Sequence, residues 1–271
     1  MTAKDEIRVN AGHVAARAAL VPLQAEPSLR AELVSQLVLG ETAAVQEASG
    51  EWRRVRCDLD GYLGWVHAGY LFELAPDAAA AWRADAAGWS LGAVARIGAD
   101  LVRLPLRARV AVAGQGVRLP DGRVAALAAG EVPTAAAVCR KAAALPPERW
   151  AMERFAGAPY LWGGVTPWGV DCSGLVQTTF AARGVLLPRD AALQVEHGVP
   201  VAAEDIRPGD LLFFRGESTE RITHVAFAAE GDGLIHSTLP CGGMVAESWR
   251  AGTRAAPLRE RLVAVRRMET R

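Results

Sequence analysis

The first half of the chain is built from short apolar–polar alternations interrupted by turn residues. Segments 17–21, 32–38, 42–47, 52–57 and 64–66 each alternate in part, the signature of half-buried strands. Gly40, Gly50 and the pair Asp60-Gly61 fall between them as turn signals. Five short strands between residues 7 and 75 predict a small β-barrel rather than a helical layout. The texture then repeats: 110–113, 116–119 and 123–127 flank the turn Pro120-Asp121-Gly122, predicting a second small barrel. Pro76-Asp77 and the alanine-rich stretch behind it mark the expected seam.

Beyond residue 141 the pattern changes. Pro146-Pro147 precedes a helical segment over 148–156. Asp171 stands as an N-cap before the run CSGLVQTTFAARG, where Leu175, Val176, Thr179 and Phe180 form an apolar stripe at helical spacing and Gly184 supplies the stop. Pro208-Gly209 turns into a strand ending at Phe214, and 224–229 and 234–237 are two more strands around Gly231-Asp232-Gly233. A helix followed by an antiparallel sheet predicts an α+β domain. The expected division is 1–76 and 77–140 for the two barrels and 141–271 for the α+β domain.

Charge and composition narrow the function classes. With 30 basic and 30 acidic side chains and no basic cluster, the chain is expected to bind neither nucleic acid nor a membrane surface. It lacks an apolar run of bilayer-spanning length. The opening MTAKDEIRVN carries acids where a secretion signal needs a basic end and an apolar block, so the expected location is the cytoplasm. The four cysteines, Cys57, Cys139, Cys172 and Cys241, show no CxxC pairing, which argues against both a disulfide framework and a zinc ribbon.

One cysteine differs from the others. Cys172 follows the N-cap directly, where free backbone N–H groups and the positive helix end favour a thiolate. A nucleophilic cysteine needs a base, and the base needs an orienting partner. His224 opens one predicted strand and His236 closes its neighbour, so the two imidazoles can lie side by side. The set reads as a Cys–His–His triad. Cys172, His224, His236 and Cys241 would alternatively supply four zinc donors, but their spacing matches no usual zinc motif.

The blocks Tyr160-Leu-Trp-Gly-Gly, Asp171-Cys-Ser-Gly-Leu-Val, Pro188-Arg-Asp, Arg207-Pro-Gly-Asp-Leu-Leu-Phe-Phe, Thr223-His-Val-Ala and Ile235-His-Ser, in this order, strongly resemble the NlpC/P60 cysteine peptidases. The resemblance covers 148–271 and implies a papain-like domain acting on peptidoglycan peptides; the segments ahead of it resemble bacterial SH3-like domains. It implies Cys172 as nucleophile, His224 as base, His236 as orienting residue and Tyr160 as an aid to the oxyanion.

Two SH3-like barrels ahead of such a domain resemble the γ-D-glutamyl-L-diamino acid endopeptidases of murein-peptide recycling. That implies a murein tripeptide or tetrapeptide substrate with a free N-terminal L-Ala, release of L-Ala-γ-D-Glu, no metal or organic cofactor, and a monomer. By the same resemblance Glu41 and Asp190 would receive the free amine, which cannot be buried unpaired without a cost of several kcal/mol. Tyr62 would wall that end, and Trp162, Asp171 and Ser173 would line the pocket. Ala191 departs from the serine that relatives often carry there. Two alternatives stand beside this reading: an exported D,L-endopeptidase on intact peptidoglycan, and a cell-wall peptide-binding module without activity.

Overall fold

The computed structural model describes residues 12–268; residues 1–11, which include the opening read for location and the start of the first expected barrel, and 269–271 lie outside the described residues. The chain divides into two compact units, 1–137 and 138–271.

The first unit holds two antiparallel sheets. One comprises β1 (His13–Ala16), β2 (Leu20–Gln24), β3 (Leu33–Val38), β4 (Thr42–Ser49), β5 (Trp52–Cys57), β6 (Leu63–His67) and β7 (Leu71–Leu74), in the order β3-β2-β6-β5-β4-β1-β7. Alternate side chains of these strands, among them Val14, Val21, Leu23, Leu37, Val55 and Val66, bury together as its core. Pro76 and Asp77, at the expected seam, open helix α1 (Pro76–Asp85), with proline in the first turn, where its missing N–H costs nothing.

The second sheet contains β8 (Gly88–Trp89), β9 (Ala93–Ile97), β10 (Asp100–Leu104), β11 (Arg109–Ala113), β12 (Gly116–Arg118) and β13 (Val124–Ala129), in the order β10-β9-β13-β12-β11-β8. Helix α2 (Ala135–Ala143) follows it. In their hydrogen bonding both sheets run from edge to edge, without a closing pair among the described residues. Alternation and turn residues foretell strands but carry no information on closure.

The β3–β4 turn requires Gly40. Its φ of +79° is left-handed, and a Cβ there would lie 1.9 Å from the Arg109 carbonyl oxygen. The Trp82 indole N–H donates to the Gly40 carbonyl at 2.8 Å, which ties α1 to the same turn.

The second unit contains α3 (Pro147–Phe155), β14 (Val165–Thr166), β15 (Gly169–Val170), α4 (Cys172–Ala182), α5 (Ala191–Gln194), β16 (Val199–Pro200), β17 (Leu211–Arg215), β18 (Ile222–Ala229), β19 (Gly233–Thr238), β20 (Gly243–Ser248), α6 (Leu258–Arg261) and β21 (Leu262–Arg267). Its main sheet is antiparallel, ordered β16-β21-β17-β18-β19-β20. Strand periodicity sorts the residues by face. Phe227 meets Phe180 of α4 at 6.0 Å, whereas Leu212, Phe214, Ala226, Ala228 and Leu234 pack with Trp249.

Every residue of α4 is buried, so the expected apolar stripe understates it. The polar positions are accommodated by bonds. Gln177 donates to the Leu187 carbonyl at 3.1 Å, Thr178 to Val165 at 2.8 Å, and Thr179 back to Leu175 at 2.8 Å. Among the described residues no helix is long and apolar enough to cross a membrane.

Candidate active site

Cys172 is the first residue of α4, behind Asp171, whose Oδ1 accepts the Gly174 N–H at 2.7 Å. The backbone N–H groups of Val225 and Ser173 reach the sulfur and pull its pKa down, but burial outweighs them and pushes the thiol up to about 12. The Asp171 carboxylate adds to that rise. The resting group is therefore the thiol rather than the thiolate that the helix start favours. At 5% exposure, the loss of solvation outweighs the helix end.

Val225 immediately follows His224, so the sulfur rests against the strand that carries the candidate base. No direct hydrogen bond joins Cys172 to His224 among the described residues; catalytic contacts often tighten only when substrate is bound. His224 makes its own bond through Nε2, 2.7 Å from Nδ1 of His236. His236, 1% exposed, places Nε2 at 2.7 Å from Glu247 Oε1. Arg254 grips both oxygens of Glu247, through Nε at 3.0 Å and through Nη2.

These bonds assign the protons. A carboxylate only accepts, so His236 donates from Nε2 and accepts at Nδ1. His224 then donates from Nε2, leaving its Nδ1 with a bare lone pair. Burial keeps both rings neutral. It lowers His236 despite Glu247, and it lowers His224 to about 3 with help from His236, Arg261 and Arg254. The arrangement is a neutral thiol beside a tautomer-fixed base.

A second network lies around Asp171. Arg189, 2% exposed, donates to both Asp171 oxygens and, at 2.8 Å, to Ser173 Oγ. Asp171 Oδ2 also accepts the Gly163 N–H at 2.8 Å, holding the loop after Tyr160 against α4. Burial, with the Cys172 sulfur and Asp171 as further causes, pushes the Tyr160 phenol up to about 12. It is a hydrogen-bond donor throughout the neutral range, suited to a developing oxyanion near the sulfur.

Residues 157–263 match the NlpC/P60 family model, and residues 23–71 match the model described as the bacterial dipeptidyl-peptidase Sh3 domain. The C-terminal unit is an NlpC/P60 domain. A γ-D-glutamyl-L-lysine dipeptidyl-peptidase of Bacillus subtilis is 44% identical over 84 residues, 31% of this chain and 28% of that protein. A probable endopeptidase of Haemophilus influenzae is 42% identical over 95 residues, 35% of this chain and 58% of the relative. The chain thus spans only 20% to 28% of the length of the first curated relatives it matches. An NlpC/P60 family protein of Bacillus cereus has the same fold at a TM-score of 0.72, with 20% identity, covering 94% of this chain and 99% of that one.

Within the NlpC/P60 domain the structure places His224 and His236 in one hydrogen-bonded network and Asp171 and Ser173 in another; the Val225 and Ser173 N–H groups reach the Cys172 sulfur, and the charges of Cys172 and Asp171 are felt at Tyr160. Trp162 stands beside them in sequence and is 54% exposed. Asp190 occupies the N-cap position of α5, but its carboxylate makes no capping bond.

Glu41, expected to receive the free amine, is not an open carboxylate in the structure. It is buried in the N-terminal unit, with Oε1 2.7 Å from Arg107 Nε and Oε2 accepting from Arg107 Nη2 at 3.1 Å and the Val38 N–H at 2.9 Å. Its carboxylate is occupied. Tyr62 packs partly buried on the first sheet's core.

Glu247, Arg254, Arg189 and Arg107 were not singled out from the sequence. Arg189 sits inside the Pro188-Arg-Asp block, so that block carried a signal for it; the other three have no local signature. Cys57, Cys139 and Cys241 are free thiols, and Cys139 donates to the Arg183 carbonyl. Among the described residues no group of three or more His, Cys, Asp or Glu is placed to hold a metal.

Proposed function

We propose that this chain is a cysteine peptidase that hydrolyses the γ-D-Glu–L-diamino acid bond of murein stem peptides, releasing L-Ala-γ-D-Glu. The observation that carries the reading is the relay Glu247–His236–His224, which leaves an unprotonated Nδ1 on the residue preceding the N–H that holds the Cys172 sulfur. The relatives named γ-D-glutamyl-L-lysine dipeptidyl-peptidase support the bond and the substrate class.

In this mechanism His224 Nδ1 takes the thiol proton as Cys172 attacks the γ-D-Glu carbonyl. The sulfur–carbon bond forms, the carbonyl oxygen becomes an oxyanion, and the Tyr160 hydroxyl and the Cys172 backbone N–H donate to it. The imidazolium of His224 is stabilised through His236 by the Glu247 charge. It passes its proton to the leaving amine as the carbon–nitrogen bond breaks. Water, deprotonated by the same nitrogen, then hydrolyses the thioester. Asp171 and Ser173, locked by Arg189, wall the acyl side together with Trp162.

Asp190 is the carboxylate proposed for the free L-Ala amine; Glu41, already paired with Arg107, is proposed as a buried anchor of its own turn. The two N-terminal sheets are proposed as SH3-like barrels, divided near residue 76, and the enzyme as a cytoplasmic monomer of peptide recycling. The test is mass-spectrometric analysis of purified chain with L-Ala-γ-D-Glu-diamino acid tripeptide and its N-acetylated form. Release of L-Ala-γ-D-Glu from the free peptide alone, abolished by Cys172→Ala, is expected. Equal turnover of the blocked peptide would refute the amine requirement, and activity surviving Cys172→Ala would refute the mechanism.

A further inference from the structure

Beside the histidine pair lies a cleft of about 300 Å³ whose wall includes His224, His236 and three arginines, Arg215, Arg254 and Arg261. Such a volume admits a small ligand group rather than a polymer. Its charge is distinctive in a chain with equal numbers of acids and bases.

The three guanidiniums are not equally committed. Arg254 is held by both oxygens of Glu247, which is only 14% exposed, and so belongs to the relay. Arg215 and Arg261 are held by Glu220 at 3.6 Å and Glu217 at 3.1 Å, and these two glutamates are 88% and 85% exposed. Pairs with such exposed carboxylates are weak and exchangeable. Arg261 also keeps a buried Nε that has no hydrogen-bond partner among the described residues. Two cations therefore face the cleft with only loosely held partners. The field of Arg261 and Arg254 already reaches His224, lowering its pKa, which places their charge beside the base.

We infer that this cleft is the subsite for the leaving residue and that Arg215 and Arg261 recognise a carboxylate on it. The inference rests on the proposed peptidase reading, because His224 must hand its proton to the leaving amine and that residue must therefore lie against it. A guanidinium offers a planar fork matched to a carboxylate. The leaving diamino acid has two sources for one: the side chain, where it is diaminopimelate rather than lysine, and the C-terminal carboxylate of a tripeptide.

The experiment compares kcat/KM of the full chain on L-Ala-γ-D-Glu-diaminopimelate, on the same peptide with its side-chain carboxylate amidated, and on the peptide amidated at its C-terminus. A loss of at least about tenfold on one amidation is expected and identifies which carboxylate is read. Arg261→Gln should bring that ratio toward one, mainly through KM; Arg215→Gln makes the same test if Arg261→Gln does not fold. Equal kcat/KM on all three peptides overturns the subsite. Cleavage of none of them overturns the peptidase reading instead, so the two failures are distinct.

Discussion

At the scale of single residues, the bond from His236 Nε2 to Glu247 fixes the tautomer of two rings, and through them which nitrogen of His224 keeps its lone pair. A residue acting in this way touches no substrate, so its effect should appear in turnover rather than in binding. Glu247→Ala is expected to lower kcat by about 10²-fold with KM little changed, the scale of a lost contribution to general acid–base catalysis. Glu247→Gln keeps an acceptor oxygen for His236 and should retain more activity. The pH profile separates this role from mere packing. Glu247 is the group holding the His236 pKa up against burial. Its removal should move the acid limb of kcat to lower pH, whereas a purely structural loss would scale the profile without shifting it.

At the scale of elements, α4 depends on a glycine inside the block that bears the nucleophile. A Cβ at Gly174 would lie 2.1 Å from the Gly164 carbonyl oxygen, a backbone atom that cannot swing aside. Gly174→Ala should therefore push the first turn of α4 off the 163–164 loop, costing about 1–3 kcal/mol as overpacking does and misplacing Cys172. A drop in melting temperature together with a kcat loss is expected, and an unchanged kcat would contradict the packing. The start of this helix was legible in the sequence because its determinants are local: a cap, a glycine and an apolar run within a dozen positions. β5 was equally legible, alternating between clear turns.

What escaped was non-local. β1 finds its partners in β4 and β7, pairing His13 with both Ala44 and Leu74, and its four residues carry no periodicity of their own. β20, which delivers Glu247, pairs across to β19 and reads G-M-V-A-E-S without clean alternation. The same distance hid the ion pairs: Arg189 lies 18 positions from Asp171, and Arg107 lies 66 from Glu41. Burial had a comparable effect at Cys172, where a helix start visible in the sequence was overruled by a desolvation that only the packed sheet creates.

At the scale of the whole molecule, the two units should respond to acid with opposite sign. In the C-terminal unit, burial depresses His236 and His224 below the ordinary imidazole value of 6.5. Below that pH the unfolded chain binds protons that the folded domain refuses, so the stability from these rings, complete above 6.5, drains away on acidification. Between pH 7.5 and 5.5 the loss is roughly 1 kcal/mol for a fully neutral buried histidine. His224, lowered to about 3, should contribute at least as much as His236, which Glu247 holds up.

In the N-terminal unit the shifted carboxyl is Glu41, raised above 4.5 chiefly by burial, with Arg107 opposing. There the folded state holds the proton more tightly, so this group's contribution grows as pH falls through its raised value. Thermal proteolysis read peptide by peptide at the two pH values distinguishes the units, and stopping at 5.5 leaves ordinary carboxylates ionised. Peptides from 138–271 should lose a few degrees, and those from 1–137 should hold or gain. His236→Gln should flatten the C-terminal response. A parallel fall in both units, or an unaltered slope in that variant, would mean that the buried imidazoles do not control the acid response of the domain that carries the site.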